Sequence, residues 1–284
     1  MAESKNIDPL TVEGFGKEWA AFDQTEFAGE PYRRAFESYF SVFPFDDLPT
    51  GSEGFDLGCG SGRWAAGVAP KVGFLHCIDP AREALAVAKR RLADTPNVDF
   101  HLASVSDIPL DDGSQDFGYS LGVLHHIPDT AQAMADCVRK LKPGAPFLVY
   151  LYYAMENRPA WFRGIWRTTD VVRKVVCRLP FGARKAVTSV MAGLVYWPLA
   201  RVSLMVENSG RNPSVIPLSG YRHLGFYAMR TDALDRFGTR LEQRFTRPQI
   251  EKMMEAAGLE NIRFRETDPF WVAVGYRRDG SDGA

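Results

Sequence analysis

An α/β fold built on a mostly parallel sheet and interrupted by a helical insert is what the sequence predicts, on three observations. From residue 54 to about 149, short apolar runs alternate with helical segments, the rhythm of a parallel sheet covered on both faces. A glycine-rich turn, DLGCGSG at 56–62, follows the first of those runs. Between residue 152 and about 241 the rhythm stops and basic, aromatic, helical sequence takes over, before a helix and two strands complete the chain.

The elements follow in order. Residues 1–50 read as helical and irregular, and Trp19, Phe22 and Phe27, three and five residues apart, mark a packing face. GFDLG reads as a strand, GRWAAGVAPKV as a helix and FLHCID as a second strand. PAREALAVAKRRL is a helix with Asp79 as N-cap and Pro80 in its first turn. VDFHLA is a third strand, SQDFGYSLGVLH a longer fourth, and residues 130–141 a helix capped by Asp129. KPG then turns the chain into the buried strand APFLVYLYY. Beyond the insert, Thr246 caps a helix with Pro248 near its start. NIRFRE and FWVAVGYR, joined at Asp268-Pro269, make an antiparallel hairpin at the end of the sheet. The expected division is therefore 1–50, an N-terminal helical lid; 51–151, the core; 152–241, a helical cap or insert; and 242–284, the helix and strand pair completing the core.

Composition narrows the function. With 284 residues, 45% hydrophobic and 24% charged, the chain can bury one sizeable core. A net charge of -1 provides no overall cationic field, so a nucleic-acid partner is not expected. Cys59, Cys77, Cys137 and Cys177 form no CxxC pair, so neither a metal site nor a disulfide framework is expected and a reduced, cytoplasmic setting fits. Residues 1–16 lack an apolar stretch flanked by basic residues, and read as neither secretory signal nor anchor. The longest apolar stretch, 186–200, is too short to span a bilayer and contains Pro198, so it reads as a buried or interfacial helix.

Gly58, Gly60 and Gly62 sit at a strand-to-helix turn, where free N–H groups and the helix dipole favour a ligand. Asp79 ends the next strand, where a carboxylate accepts hydrogen bonds from both hydroxyls of a ribose. A nicotinamide site has the spacing G-x-G-x-x-G. Here the third glycine comes one residue early and Asp56 precedes the set. That spacing resembles motif I of the class I S-adenosylmethionine-dependent methyltransferase family, of small-molecule type. The resemblance continues through CIDPAREALAVAKRRL, VDFHLASVSDIPLDDGSQDFGYSLGVLHHIPD and CVRKLKPGAPFLVY, covering about residues 54–151.

The resemblance implies a Rossmann-like, doubly wound, seven-stranded sheet with an antiparallel last strand, with S-adenosyl-L-methionine as cofactor. It places Asp56, Gly58, Cys59, Gly60 and Gly62 at the methionine end and Asp79, with Pro80 beside it, at the ribose. Many relatives carry an Asp after the third strand for the adenine amino group. Here Ser104 stands at that position, so the Ser104 hydroxyl and the Val105 backbone become the adenine contacts, with Leu121 ending the fourth strand nearby. Trp19 resembles the lid helices that close over the cofactor.

The acceptor is less constrained. LGVLHHIP stands where nucleic-acid amino methyltransferases carry N/D-P-P-Y/F, and the chain has no Pro-Cys nucleophile, so base methylation is disfavoured. His125 and His126 end the fourth strand, where one serves as general base or the pair shapes the loop. His223, with Tyr221, Tyr227, Arg230 and Asp232, lines an acceptor pocket or simply packs. Between Arg158 and Met205 nine basic residues face one acid, Asp170. With Trp161, Trp166, Tyr196 and Trp197 this suggests an acidic or lipid- or phosphate-linked acceptor and peripheral membrane contact, or else a solvated face with a homodimer through the insert. The expected function is methyl transfer to an O or N atom of a small molecule. The alternatives are an NAD-dependent oxidoreductase and a non-catalytic domain that binds S-adenosylmethionine.

Overall fold

A computed structural model describes residues 6–22 and 28–279. The chain divides into two compact units, one of Met1–Gln24, Tyr32–Ala154 and Leu241–Ala284, the other of Thr25–Pro31 and Met155–Arg240.

The first unit contains seven strands: β1 Glu53–Leu57, β2 Phe74–Asp79, β3 Val98–Leu102, β4 Phe117–Leu121, β5 Pro146–Tyr150, β6 Leu259–Phe264 and β7 Val272–Arg277. Their order is β3-β2-β1-β4-β5-β7-β6. The first five run parallel, while β7 is antiparallel to both β5 and β6. The order reverses between β1 and β4, and at such a switch point the loops leaving two adjacent strands diverge and open a crevice.

Side chains alternate across the strands and fill two layers. Phe55, Leu57, Phe147 and Val149 pack with Met134 and Val138 of α5 (Thr130–Lys140) and Ile250 and Met254 of α10 (Arg247–Ala256). On the opposite face Cys77, Phe117, Tyr119, Leu148 and Val274 pack with Trp64, Ala65 and Val68 and with Leu85 and Ala88 of α4 (Arg82–Arg91). The caps of α5 and α10 form as expected. Asp129 accepts from the Gln132 amide, and Thr246 forms a capping box with Gln249.

Three local expectations change. The helix after the glycine turn is only α3, Ala65–Val68, followed by a 3₁₀ turn at Ala69–Lys71 where Pro70 ends it. β4 stops at Leu121, and Leu124–His126 folds as a 3₁₀ turn rather than extending the strand. Asp79 is not the N-cap of α4, which begins at Arg82 with Ala81 as its cap residue, so Pro80 precedes the helix. The Asp79 carboxylate is engaged by amides of the loops themselves.

The second unit is helical: α6 Ala160–Val176, α7 Phe181–Met191, α8 Trp197–Asn208 and α9 Phe226–Gly238, packed around Val176, Ala192, Tyr196, Ala200, Met229, Ala233 and Phe237. The buried Arg173 anchors α6, bonding Asp170 at 2.7 Å and the carbonyls of Thr239 and Arg240 at 3.0 and 3.1 Å. A π-turn at Ala192–Tyr196 joins α7 to α8, so helix runs without a break from Phe181 to Asn208. The apolar run that reads as too short to span a bilayer thus belongs to a 28-residue helix, long and apolar enough for a crossing by length and composition. Pro198 does not end it, because the ring falls in the first turn of α8 just after the wider π-turn.

Candidate cofactor and acceptor site

β1 delivers the chain to the glycine turn at the switch point. Gly58 and Gly60 have φ of +76° and +54°, which side chains rarely adopt. A Cβ on Gly58 would lie 2.4 Å from the Val123 side chain, and one on Gly60 3.2 Å from the Trp19 indole. The turn is pinned to the next strand, since the amides of Gly58 and Cys59 donate to the Ile78 carbonyl at 2.7 and 3.2 Å. Asp79 then ties two loops together, Oδ2 accepting from the Gly60 amide at 2.9 Å and Oδ1 from the Ala81 amide at 2.8 Å. Burial raises its pKa to about 6 against those two bonds.

These loops wall a cavity of about 930 Å³, including space open to solvent. Gly58, Cys59 and Gly60 line it from the turn, Asp79 and Pro80 from the end of β2, Ser104 and Val105 from beyond β3, Leu121 from β4, and His126 from the 3₁₀ turn. α1 (Pro9–Ala21) and the residues before it close another side through Asn6, Asp8, Phe15 and Trp19. Most residues expected to bind cofactor therefore meet in one space.

Four expected site residues do not line this space. Asp56 lies behind the turn, 1% exposed, because strand alternation sends it toward Cys77 and Tyr119. Burial raises its pKa to about 8, with the nearby Asp79 adding to the shift. Gly62 turns toward Ala88 and Leu92. His223 belongs to the helical unit, where its exposed ring pairs with Glu207 at 2.8 Å. His125 is fully buried and stacks on Tyr152, ring centroids 3.9 Å apart, and neither of its nitrogens has a hydrogen-bond partner among the described residues. Burial first, then His126 and Arg244, lower its pKa well below the usual histidine range. It is a neutral packing residue, which corrects its expected place among the catalytic candidates.

His126 differs. Its Nδ1 lies 2.7 Å from the Leu241 carbonyl, and a carbonyl only accepts, so Nδ1 carries the proton and Nε2 is the basic nitrogen of the neutral ring. The segment holding it is fixed a second time, because the Gln243 amide donates to the His125 carbonyl at 3.0 Å and Gln243 Nε2 to the Ile127 carbonyl at 2.7 Å. Neither Leu241 nor Gln243 was legible as part of a site, since each acts more than a hundred residues from its partner. Asn6 was likewise missed. Its side chain donates to the Asp129 carbonyl at 2.7 Å and accepts from the Asp129 amide at 2.8 Å, clasping the N-terminal segment to the start of α5.

Cys59 lines the cavity as a protonated thiol, because its contact with Cys77 and its burial push its pKa well up. At the sheet edge His76, Asp99 and His101 bring ligand-type atoms within 4.8 Å of one another, a grouping that cysteine spacing does not reveal. Both nitrogens of His76 are already engaged there, Nε2 with Glu53 at 2.8 Å and Nδ1 with His101 at 2.9 Å. The trio is a hydrogen-bonded relay across β1, β2 and β3.

The residues present fit a nucleoside cofactor. The Asp79 oxygens accept one amide each and keep lone pairs for ribose hydroxyls at the cavity wall, and the glycine turn leaves room for close approach. Strand order, switch-point turn and carboxylate together define a class I S-adenosylmethionine-dependent methyltransferase domain, with S-adenosylmethionine as its cofactor.

Residues 55–149 match the family described as Methyltransferase domain. A 37.1 kDa protein in transposon TN4556 of Streptomyces fradiae is 39% identical over 116 residues, 39% of this chain and 33% of that protein. Phosphoethanolamine N-methyltransferase 2 of Caenorhabditis elegans is 32% identical over 38% of this chain and 25% of its own length. A ubiquinone biosynthesis O-methyltransferase of Thiobacillus denitrificans is 32% identical over 39% of this chain and 47% of its own. The chain thus spans between a quarter and about half of the length of these curated relatives. Among solved structures, a chain from the complex of the Haloferax volcanii Trm112 methyltransferase activator with its methyltransferase partner aligns over 93% of this chain and 98% of its own, at 16% identity and a TM-score of 0.51. A Bacillus halodurans protein aligns over 81% and 72%, at 15% identity and a TM-score of 0.50. These likenesses support the fold.

Proposed function

We propose that the protein transfers a methyl group from S-adenosylmethionine to an oxygen or nitrogen atom of a small molecule in the cytoplasm. The observation that carries this reading is one cavity walled by the glycine turn, Asp79 and the His126 ring, whose basic Nε2 is set by the Leu241 carbonyl. The cofactor supplies an activated methyl group on a sulfonium. Asp79 holds the ribose, Ser104 and Val105 border the adenine, and Trp19 and Phe15 exclude water. His126 Nε2 accepts the proton that a hydroxyl or ammonium acceptor must lose as its lone pair takes the methyl carbon, the C–S electrons remaining on sulfur. An acidic or phosphate-linked acceptor remains our preferred subclass, supported by the basic composition of residues 155–240.

Calorimetry with S-adenosylhomocysteine and with NAD tests the donor, and binding of NAD alone would sink the proposal. Transfer of labelled methyl from S-adenosylmethionine to a panel of hydroxylated and amino acceptors, neutral and phosphorylated, tests the reaction.

A further inference from the structure

The helical unit leaves much of its apolar surface uncovered. Of the sixteen large hydrophobic residues that are exposed among those described, fourteen lie between Trp161 and Phe226. They are ordered. On α6, Trp161, Ile165, Val172 and Val175 recur at steps of four, seven and three residues, one side of a helix. On the helix Phe181–Asn208, Val187, Val190, Leu194, Val202 and Met205 recur at steps of three, four, eight and three, with Leu194 74% exposed. The other side of that helix, Thr188, Ala192, Tyr196, Ala200 and Ser203, is buried. The exposed stripe is about 27 Å long at 1.5 Å per residue.

Charge identifies what covers this surface. Residues 155–240 carry fourteen Lys and Arg against five Asp and Glu, although the whole chain has a net charge of -1. On α6 the exposed Arg163, Arg167 and Lys174 follow one another at steps of four and seven residues, so they form a basic row beside the apolar one. Apolar stripes flanked by basic residues match the boundary of an anionic bilayer, where acyl chains lie beneath negative headgroups. A spanning role does not fit. Crossing would strip the buried side of the long helix, including Tyr196 and Ala200, from the unit's own core.

We propose that the helical unit docks on an anionic lipid surface, with Phe181–Asn208 lying in the interface and α6 supplying apolar and basic contacts. The docking does not depend on the methyl transfer, and the two fail separately.

The test is flotation of the full chain with vesicles of phosphatidylcholine alone or with about 30% phosphatidylglycerol. Binding to the anionic vesicles is expected, weakening at least tenfold between roughly 0.05 and 0.5 M salt as the charges are screened. Val190→Glu with Leu194→Glu should abolish it, and Arg163→Glu with Arg167→Glu should weaken it by about tenfold. S-adenosylhomocysteine binding and circular dichroism, unchanged in both variants, would show that they fold. Wild-type protein that stays off anionic vesicles overturns the proposal. So does a wild-type dimer that the Glu pair splits without any effect on vesicle binding, since a second copy then covers the face. Equal binding to both vesicle types overturns the electrostatic part.

Discussion

The Leu241 carbonyl accepts a 2.7 Å hydrogen bond from Nδ1 of His126, an arrangement that turns the opposite ring nitrogen into the base of the cavity. A general base typically contributes a hundred- to ten-thousandfold. His126→Ala should therefore lower the turnover number by at least about a hundredfold, with the S-adenosylhomocysteine dissociation constant changed less than threefold. His125→Phe is the matched control. Replacing a buried ring with no hydrogen bonds by an apolar ring of similar shape is nearly neutral or stabilising, so both melting temperature and turnover should hold. Full activity in His126→Ala would remove the base from the mechanism.

Asn6 makes two side-chain hydrogen bonds to the backbone of Asp129. Each contributes about 1 kcal/mol, so Asn6→Ala should loosen the N-terminal wall and weaken S-adenosylhomocysteine binding by about tenfold. Calorimetry reads the affinity, and limited proteolysis reads earlier cleavage before Trp19. An unchanged affinity would mean that this wall does not hold the cofactor.

Gly60→Ala places a methyl group at a left-handed φ, 3.2 Å from the Trp19 indole. The backbone strain is about 1–2 kcal/mol. Affinity for S-adenosylhomocysteine should fall by roughly tenfold or more, whereas Gly122→Ala, also at positive φ but with open space around the added carbon, should carry the strain without the clash. Comparing the two variants in binding and in thermal melts separates strain from steric blockage.

Asp56 and Asp79 have pKa values of about 8 and about 6 in the folded chain, both above the unfolded carboxylate value. The folded state therefore binds these protons more tightly, and their contribution to stability is greatest at low pH. It falls as pH rises from about 4 to 6 for Asp79, and on to about 8 for Asp56. Asp56→Asn should remove the later loss and raise the melting temperature at pH 8–9 relative to wild type, with little change at pH 5. Ribose recognition has the opposite dependence, because it uses ionised Asp79, so S-adenosylhomocysteine should bind more tightly as pH rises through about 6. A flat affinity across that range would place the ribose elsewhere.

The sheet and the cofactor turn were legible because their causes are local. Period-two apolar runs give the strands, and glycines at positive φ give the turn. Asp79 was legible as a ligand but not as the clasp joining Gly60 to Ala81, since its competing bonds appear only when β1 and β2 pair. Asp56 shows the limit of motif position. It stands in the resembling motif, yet strand alternation faces it away from the cavity. The choice between His125 and His126 needed the Leu241 carbonyl, a contact across 115 residues that no spacing rule anticipates.

The π-turn at Ala192–Tyr196 adds a consequence of phase. Five residues there turn through less angle than in an α-helix, and this lag aligns the outward residues of α8 with those of α7. Deleting one residue of the turn would rotate α8 by about 100°, carrying Met205 out of line with Val187 while leaving composition and helix content almost untouched. A sequence can thus keep its hydropathy and lose its face, because the continuity of that surface depends on a single extra residue of winding.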